Sequence, residues 1–245
     1  MKLRLDQKLV ELQLVPTRSQ AESYIKLGDV KVNGKVVTKP GTLVGEADKV
    51  ELNTKEQYVS RAALKLASVA KILNLDFKGK TILDVGSSTG GFTDYALRRG
   101  AKKSIAVDVG TDQLHPSLHG NPKIELHEQT DIRDFMTDQK IDIVVADVSF
   151  ISLREILPQV AKLSQPDTQI VAMVKPQFEA VTGNLKHKGV IKNDRMRRDI
   201  LKDFENWVQQ RFMVLDKADS QVSGRHGNVE RFYLLRPIKA AAKIR

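Results

Sequence analysis

The stretch KTILDVGSSTGGFTD, residues 80–94, decides the fold. Thr81–Val85 is an apolar run broken only by Asp84, with the length and composition of a strand buried on both faces. It leads straight into a turn with glycines at 86, 90 and 91. Glycines at the carboxyl end of a strand let the backbone turn tightly and approach a ligand closely. The spacing G-x-x-x-G-G differs from the dinucleotide fingerprint G-x-G-x-x-G, and the chain has no G-x-x-x-x-G-K-[ST] phosphate loop.

Downstream, the same unit recurs. KSIAVDVG (103–110), KIELHE (123–128), KIDIVVADVSF (140–150) and TQIVAMVKP (168–176) read as further apolar strands, separated by segments of helical length and pattern. RFMVLDKADS (211–220) and VERFYLLRP (229–237) read as a terminal antiparallel pair. The alternation predicts an α/β, Rossmann-like, doubly wound domain with a mainly parallel sheet. The second strand ends at Asp108, where an acid can bind ribose hydroxyls, and Asp131 follows the third strand, placed to receive an adenine amino group.

The first sixty residues have different punctuation. Leu5, Leu9, Leu12 and Val15 fall at helical spacing and Pro16 stops that helix. Thr17 with Gln20 makes a capping-box pattern for a second helix, which Gly28 ends. VKVNGKVV then alternates around Asn33-Gly34, a strong hairpin signal, and KVEL closes the module with a short strand. The expected division is a small α+β domain over 1–57 and the α/β domain over 58–245.

Composition narrows the function. A chain of 245 residues with 41% hydrophobic and 29% charged side chains is an ordinary globular protein. No apolar run reaches a membrane span, and the first residues lack a signal-peptide core, so the expected location is cytoplasmic. The absence of cysteine excludes disulfides, thiolate metal sites and a cysteine nucleophile. His115, His119, His127, His187 and His226 show no ligand spacing, so no metal is expected. A net charge of +10 favours a polyanionic partner, and the basic excess gathers from Lys217 onward.

The front module resembles the ribosomal-protein-S4-like RNA-binding domain, through Arg4-Leu5-Asp6, the helix TRSQAESYIKLG and the hairpin VKVNGK. The resemblance implies RNA contacts at Arg4, Arg18, Ser19, Gln20, Lys26 and Lys31, with Arg61 just beyond the module. The α/β part resembles the S-adenosylmethionine-dependent methyltransferases. That implies a cofactor held by Asp84, Gly86, Ser87, Ser88, Thr89, Gly90, Gly91 and Phe92 at its methionine end. Asp108 and Val109 would take the ribose, Asp131 and Ile132 the base, and Asp147 would border it.

The fourth strand's end bears on the methyl acceptor. Enzymes of this kind that methylate exocyclic amines usually carry Asn/Asp-Pro-Pro-aromatic there, whereas this chain has Asp147-Val148-Ser149-Phe150. Methylation of pyrimidine C5 needs a cysteine. An alcohol remains, and an alcohol requires a base. YVSRAALKL (58–66), LDVGSSTGGFTD (83–94), VADVSFISL (145–153), VKPQFE (174–179) and GNVERF (227–232) together resemble the TlyA (haemolysin A) family, end to end. The chain departs from that pattern at Ala62-Ala63, where glycine is commoner. The resemblance implies an FtsJ-type tetrad at Lys65, Asp147, Lys175 and Glu230, and 2′-O-methylation of cytidine ribose in ribosomal RNA or ribosomal subunits. Lys175 would be the base, with Lys65 as a second cation and the two acids orienting the lysines. Two other functions fit parts of the chain: a ribosome-assembly protein with a degenerate methyltransferase fold, and a membrane-active haemolysin.

Overall fold

The computed structural model describes residues 2–54, 57–180, 190–191, 193–222, 224 and 227–238. The chain opens with β1 (Leu3–Arg4), α1 (Leu5–Glu11), α2 (Arg18–Leu27), β2 (Val30–Val32), β3 (Lys35–Val36), β4 (Leu43–Val44) and β5 (Val50–Leu52). β2 pairs antiparallel with β3 and β5, and β1 with β4. Asn33 and Gly34 both take left-handed φ, 50° and 77°, as a type I′ hairpin turn demands. Thr17 Oγ1 accepts from Gln20 N at 3.2 Å and so caps α2.

The first helix is shorter than its Leu5–Leu9–Leu12–Val15 spacing predicts. It ends at Glu11, well before Pro16, because Gln13 turns left-handed (φ 56°). Leu14 N then reaches Leu9 O at 3.0 Å and Gln13 N reaches Val10 O at 2.9 Å, a Schellman closure that satisfies the last carbonyls.

From α3 (Arg61–Ala70) strands and helices alternate: β6 (Thr81–Val85), α4 (Gly91–Arg98), β7 (Lys103–Val107), β8 (Ile124–His127), β9 (Ile143–Ala146), α5 (Leu153–Leu163), β10 (Gln169–Val174), α6 (Pro176–Glu179), α7 (Asp194–Val208), β11 (Phe212–Asp219) and β12 (Arg231–Pro237). Seven strands form one sheet in the order β11-β12-β10-β9-β6-β7-β8. β6 to β10 run parallel, and β12 alone runs against them, antiparallel both to β10 and to the edge strand β11, which points the same way as the parallel set. The strand order reverses at β6, between β9 and β7, which opens a crevice at the carboxyl edge.

Alternate residues of the buried strands face opposite layers. Ile82, Ile143, Val145, Val171, Met173 and Phe232 pack against α3, α4 and the front module. Leu83, Val144, Ala172, Val174, Tyr233 and Leu235 pack against α5 and α7. Each buried side chain of this kind contributes about 1.5–3 kcal/mol. The front module shares the first of these cores through Leu5, Leu9, Tyr24 and Ile25. A polar fastening adds to it: Gln20 Nε2 donates to Tyr58 O at 3.2 Å.

Candidate active site

Six strand ends and one strand start lie along the carboxyl edge of the sheet. At the end of β6, Gly86 has φ 77°, and a Cβ there would stand 2.9 Å from the carbonyl oxygen of Asp147. Only glycine lets the turn lie this close to the end of β9. Gly91 does the same for α3: a Cβ there would stand 2.3 Å from Ser60 Oγ and 2.9 Å from the Ala62 methyl. Ala62-Ala63, the departure in the sequence, is therefore accommodated by glycine on the facing helix.

Asp84 is buried, and its Oδ2 accepts from Thr93 N at 2.9 Å and Thr93 Oγ1 at 2.7 Å. Burial pushes its carboxyl up to about 7, against the Thr93 hydrogen bonds that lower it. Asp84 Oδ1 and Ser87 Oγ are buried with no hydrogen-bond partner among the described residues. Both residues line a cavity of about 150 Å³ together with Gly86, Ser88, Thr89, Phe92, Asp147, Ser149 and Lys175. Gly90 and Gly91 are buried behind it at the start of α4.

A second cavity, of about 370 Å³, continues from the first through Gly86, Ser88, Asp147 and Ser149 to Asp108, Val109, Asp131 and Ile132. Asp108 Oδ2 accepts from Ser88 N at 2.8 Å and Oδ1 from Gly110 N at 2.7 Å. Gln113 Nε2 also reaches Oδ1, at 3.1 Å, a contact that nothing in the sequence signals. Asp131 is clasped by Arg133, whose Nη2 lies 2.6 Å from Oδ2, and that guanidinium holds the carboxyl below its usual range. Phe150 stands at the mouth, 91% exposed, with a left-handed φ of 66° and its ring 5.3 Å from that of Phe178.

The four expected catalytic residues come together as two ion pairs. Lys175 Nζ lies 2.6 Å from Asp147 Oδ1, and Lys65 Nζ lies 2.8 Å from Glu230 Oε1. Lys175 Nζ also donates to Ser149 Oγ at 2.7 Å, a neighbour that the sequence reading left out although it lies in the same turn as Asp147. Glu230 reaches the site because β12 is antiparallel: Arg231 sits opposite Val174, so the residue before β12 adjoins the residue after β10. Burial raises the Glu230 carboxyl above its usual range, partly offset by Lys65. Gly224 makes room for it, since a Cβ there would stand 2.4 Å from Glu230 Oε1.

On the front module the expected RNA-facing residues divide. Arg4, Arg18 and Lys26 are exposed, and Ser19, Lys31 and Arg61 are half-buried. Gln20 departs from the expectation. It is buried, with its Nε2 donating to Tyr58 O at 3.2 Å and its Oε1 accepting from Thr17 Oγ1 at 3.1 Å, so its amide ties the module to the α/β part. His187 and His226 lie outside the described residues. Among the described residues no three His, Asp or Glu side chains converge as a metal site, and no helix is long and apolar enough to cross a membrane.

An S4 domain matches residues 3–50, and the FtsJ-like methyltransferase family matches residues 58–236. The α/β part is thus an FtsJ-like methyltransferase domain, preceded by an S4 domain. The chain is 36% identical over 239 residues to the Mycobacterium tuberculosis 16S/23S rRNA (cytidine-2′-O)-methyltransferase TlyA, covering 95% of this chain and 89% of that protein. It is 43% identical over 181 residues to the Campylobacter jejuni 23S rRNA (cytidine-2′-O)-methyltransferase TlyA, covering 73% and 70%. A solved structure described as "Putative hemolysin from Streptococcus thermophilus" superposes with a TM-score of 0.71 at 35% identity, over 98% of this chain and 90% of that one. The chain belongs to the TlyA (haemolysin A) family of FtsJ-like methyltransferases.

Proposed function

We propose that this protein transfers a methyl group from S-adenosylmethionine to the ribose 2′-hydroxyl of a cytidine in ribosomal RNA. The observation that carries this reading is the Lys175–Asp147 pair in the lining of the cavity behind the glycine turn, with the Lys65–Glu230 pair near enough for Asp147 and Lys175 to act electrostatically on Glu230. Naked or subunit-borne ribosomal RNA is the partner, the cytoplasm the place of work, and no metal is required.

The residues present fit the cofactor. Asp84 Oδ1 and Ser87 Oγ are buried polar atoms awaiting a partner, and the ammonium of a bound amino acid supplies one. The Gly86–Phe92 turn holds the methionine end, Asp108 and Val109 the ribose, Asp131 and Ile132 the base, and Asp147 borders the reacting centre. When bound, S-adenosylmethionine supplies a methyl group made electrophilic by its positive sulfur.

Lys175, acting as the neutral amine after giving up its own proton to solvent, takes the proton from the 2′-hydroxyl as that oxygen attacks. Asp147 and Ser149 hold its amine in one rotamer from two directions, leaving a third for the ribose. Lys65, locked on Glu230, places a second cation beside the reacting oxygen. Residues 1–57 position the RNA, with Arg4, Arg18, Ser19, Lys26 and Lys31, and then Arg61, along its path. Residues 58–245 carry out the transfer.

The test uses purified protein, S-adenosylmethionine with a labelled methyl group, and ribosomal subunits, with label traced to single nucleosides. Label in 2′-O-methylcytidine, lost in Lys175→Ala, is the expected result. Label on a base, or cofactor binding without transfer to any RNA, would overturn the reading.

A further inference from the structure

Asp6 is fully buried, yet the two side chains it holds are not. Its Oδ1 accepts from Arg4 Nε at 3.0 Å, and its Oδ2 from Arg4 Nη2 at 3.2 Å, Arg18 Nε at 3.2 Å and Arg18 Nη2 at 2.7 Å. The Asp6 side chain is 0% exposed, against 44% for Arg4 and 52% for Arg18. The two arginines come from different elements, the end of β1 and the first turn of α2, and meet only on this carboxylate.

We propose that Asp6 is a positioning residue that presents Arg4 and Arg18 as one two-armed clamp for an RNA phosphate. The proposal rests on the reading of the front module as an RNA-binding surface. Each guanidinium spends its Nε edge on Asp6, and neither Nη1 makes a hydrogen bond to a described residue. Two unbonded Nη1 groups on guanidinium planes fixed by Asp6 leave donors for the fork geometry in which arginine binds phosphate oxygens. One carboxylate between two guanidiniums leaves these three side chains at +1, with the Glu22 carboxylate as the next charge acting on Arg4. Gly41 keeps Arg4 in place, since a Cβ there would stand 3.2 Å from its Nη1. Burial alone would push the Asp6 carboxyl up, but hydrogen bonds from Arg4 and Arg18 hold it below its usual range, so the clamp stays assembled at neutral pH. Unanchored, both arginines would have to be ordered when RNA binds.

The sign of one measurement separates this role from simple charge. Asp6→Asn removes a negative charge, so electrostatics alone predicts tighter binding. Positioning predicts the reverse: about tenfold weaker binding to purified bacterial ribosomal RNA, at unchanged S-adenosylmethionine affinity, from loosening two long side chains. In an Arg4→Ala/Arg18→Ala background the same change should do nothing. Binding of Asp6→Asn as tight as or tighter than the unchanged protein overturns the proposal. Should Asp6→Asn fail to fold, Arg4→Lys/Arg18→Lys decides, because it keeps the charge but cannot grip Asp6 side-on. A loss of about tenfold with the salt slope unchanged supports the clamp, and equal affinity overturns it. If Arg4→Ala/Arg18→Ala binds RNA as the unchanged protein does, the arginines are not RNA contacts and the clamp fails with them. Methyl transfer measured on subunits keeps that failure distinct from failure of the enzyme reading.

Discussion

Lys175 Nζ and Asp147 Oδ1 stand 2.6 Å apart because β10 and β9 lie side by side, parallel and in register, with Ala172 opposite Ala146. The residues that immediately follow these neighbouring strands, β10 running two residues past the end of β9, bring lysine and carboxylate to one place. Ser149 then fixes the amine from the other side at 2.7 Å.

Lys175→Ala should slow methyl transfer by roughly 10²–10⁴-fold, the worth of a positioned base, with S-adenosylmethionine affinity nearly unchanged. Lys175→Arg should not restore the rate, because guanidinium keeps its proton near neutral pH. Single-turnover rates on ribosomal subunits decide the point. An active arginine variant would mean that another group takes the proton.

Glu230→Gln leaves Lys65 buried without its counter-charge, and breaking a buried pair in this way costs about 3–5 kcal/mol. Thermal unfolding should report that loss. Gly224→Ala offers a gentler probe, since its methyl group would meet Glu230 Oε1, the atom that accepts from Lys65. We expect methyl transfer to fall by about tenfold or more, 1.36 kcal/mol per decade, with a much smaller change in unfolding temperature. Equal rates would show that Glu230 tolerates displacement.

Asp84 makes stability depend on pH in an unusual direction. Its folded carboxyl is raised to about 7, above its unfolded value, so between about pH 4 and 7 the native state holds the extra proton. The sign follows: this contribution to stability is full below pH 4 and is lost as pH rises through 7. Asp84→Asn should flatten that slope in unfolding temperature. Cofactor affinity in the unchanged protein should rise with pH through the same range, since an ammonium pairs with the ionised acid. Affinity flat from pH 6 to 8 would remove Asp84 from the cofactor site.

Gly86→Ala combines a left-handed backbone with a 2.9 Å approach to the Asp147 carbonyl oxygen. It should destabilise the protein by more than about 1 kcal/mol and weaken cofactor binding, because the turn and the end of β9 must separate. Ser88→Gly is the control: Ser88 also has positive φ, 46°, so glycine there should be neutral or slightly stabilising. Calorimetry on both variants tests the pair.

Much of the architecture is legible in residue order because it rests on local rules. Apolar runs of strand length, Asn33-Gly34 and the Thr17 cap each act within a few residues, and each forms as its chemistry predicts. The α1 boundary is not legible in that way. Leu12 and Val15 keep helical spacing, but the chain closes at Gln13 in a turn that leaves Leu12 43% exposed and buries Val15 in the shared core.

The site divides along the same line. That Lys65, Asp147, Lys175 and Glu230 sit where chemistry could use them follows from their places beside apolar segments and from resemblance. Which lysine pairs with which acid follows from neither. Strand order and direction decide it: parallel β9 and β10 join Lys175 to Asp147, while antiparallel β12 brings Glu230 to the same edge, where α3 supplies Lys65. Gln20 shows the same limit, since its polar side chain reads as surface but spends its amide on Tyr58 across the chain. Periodicity is a property of neighbours along the backbone, whereas pairing between charges is a property of distance in space, and only packing sets that distance.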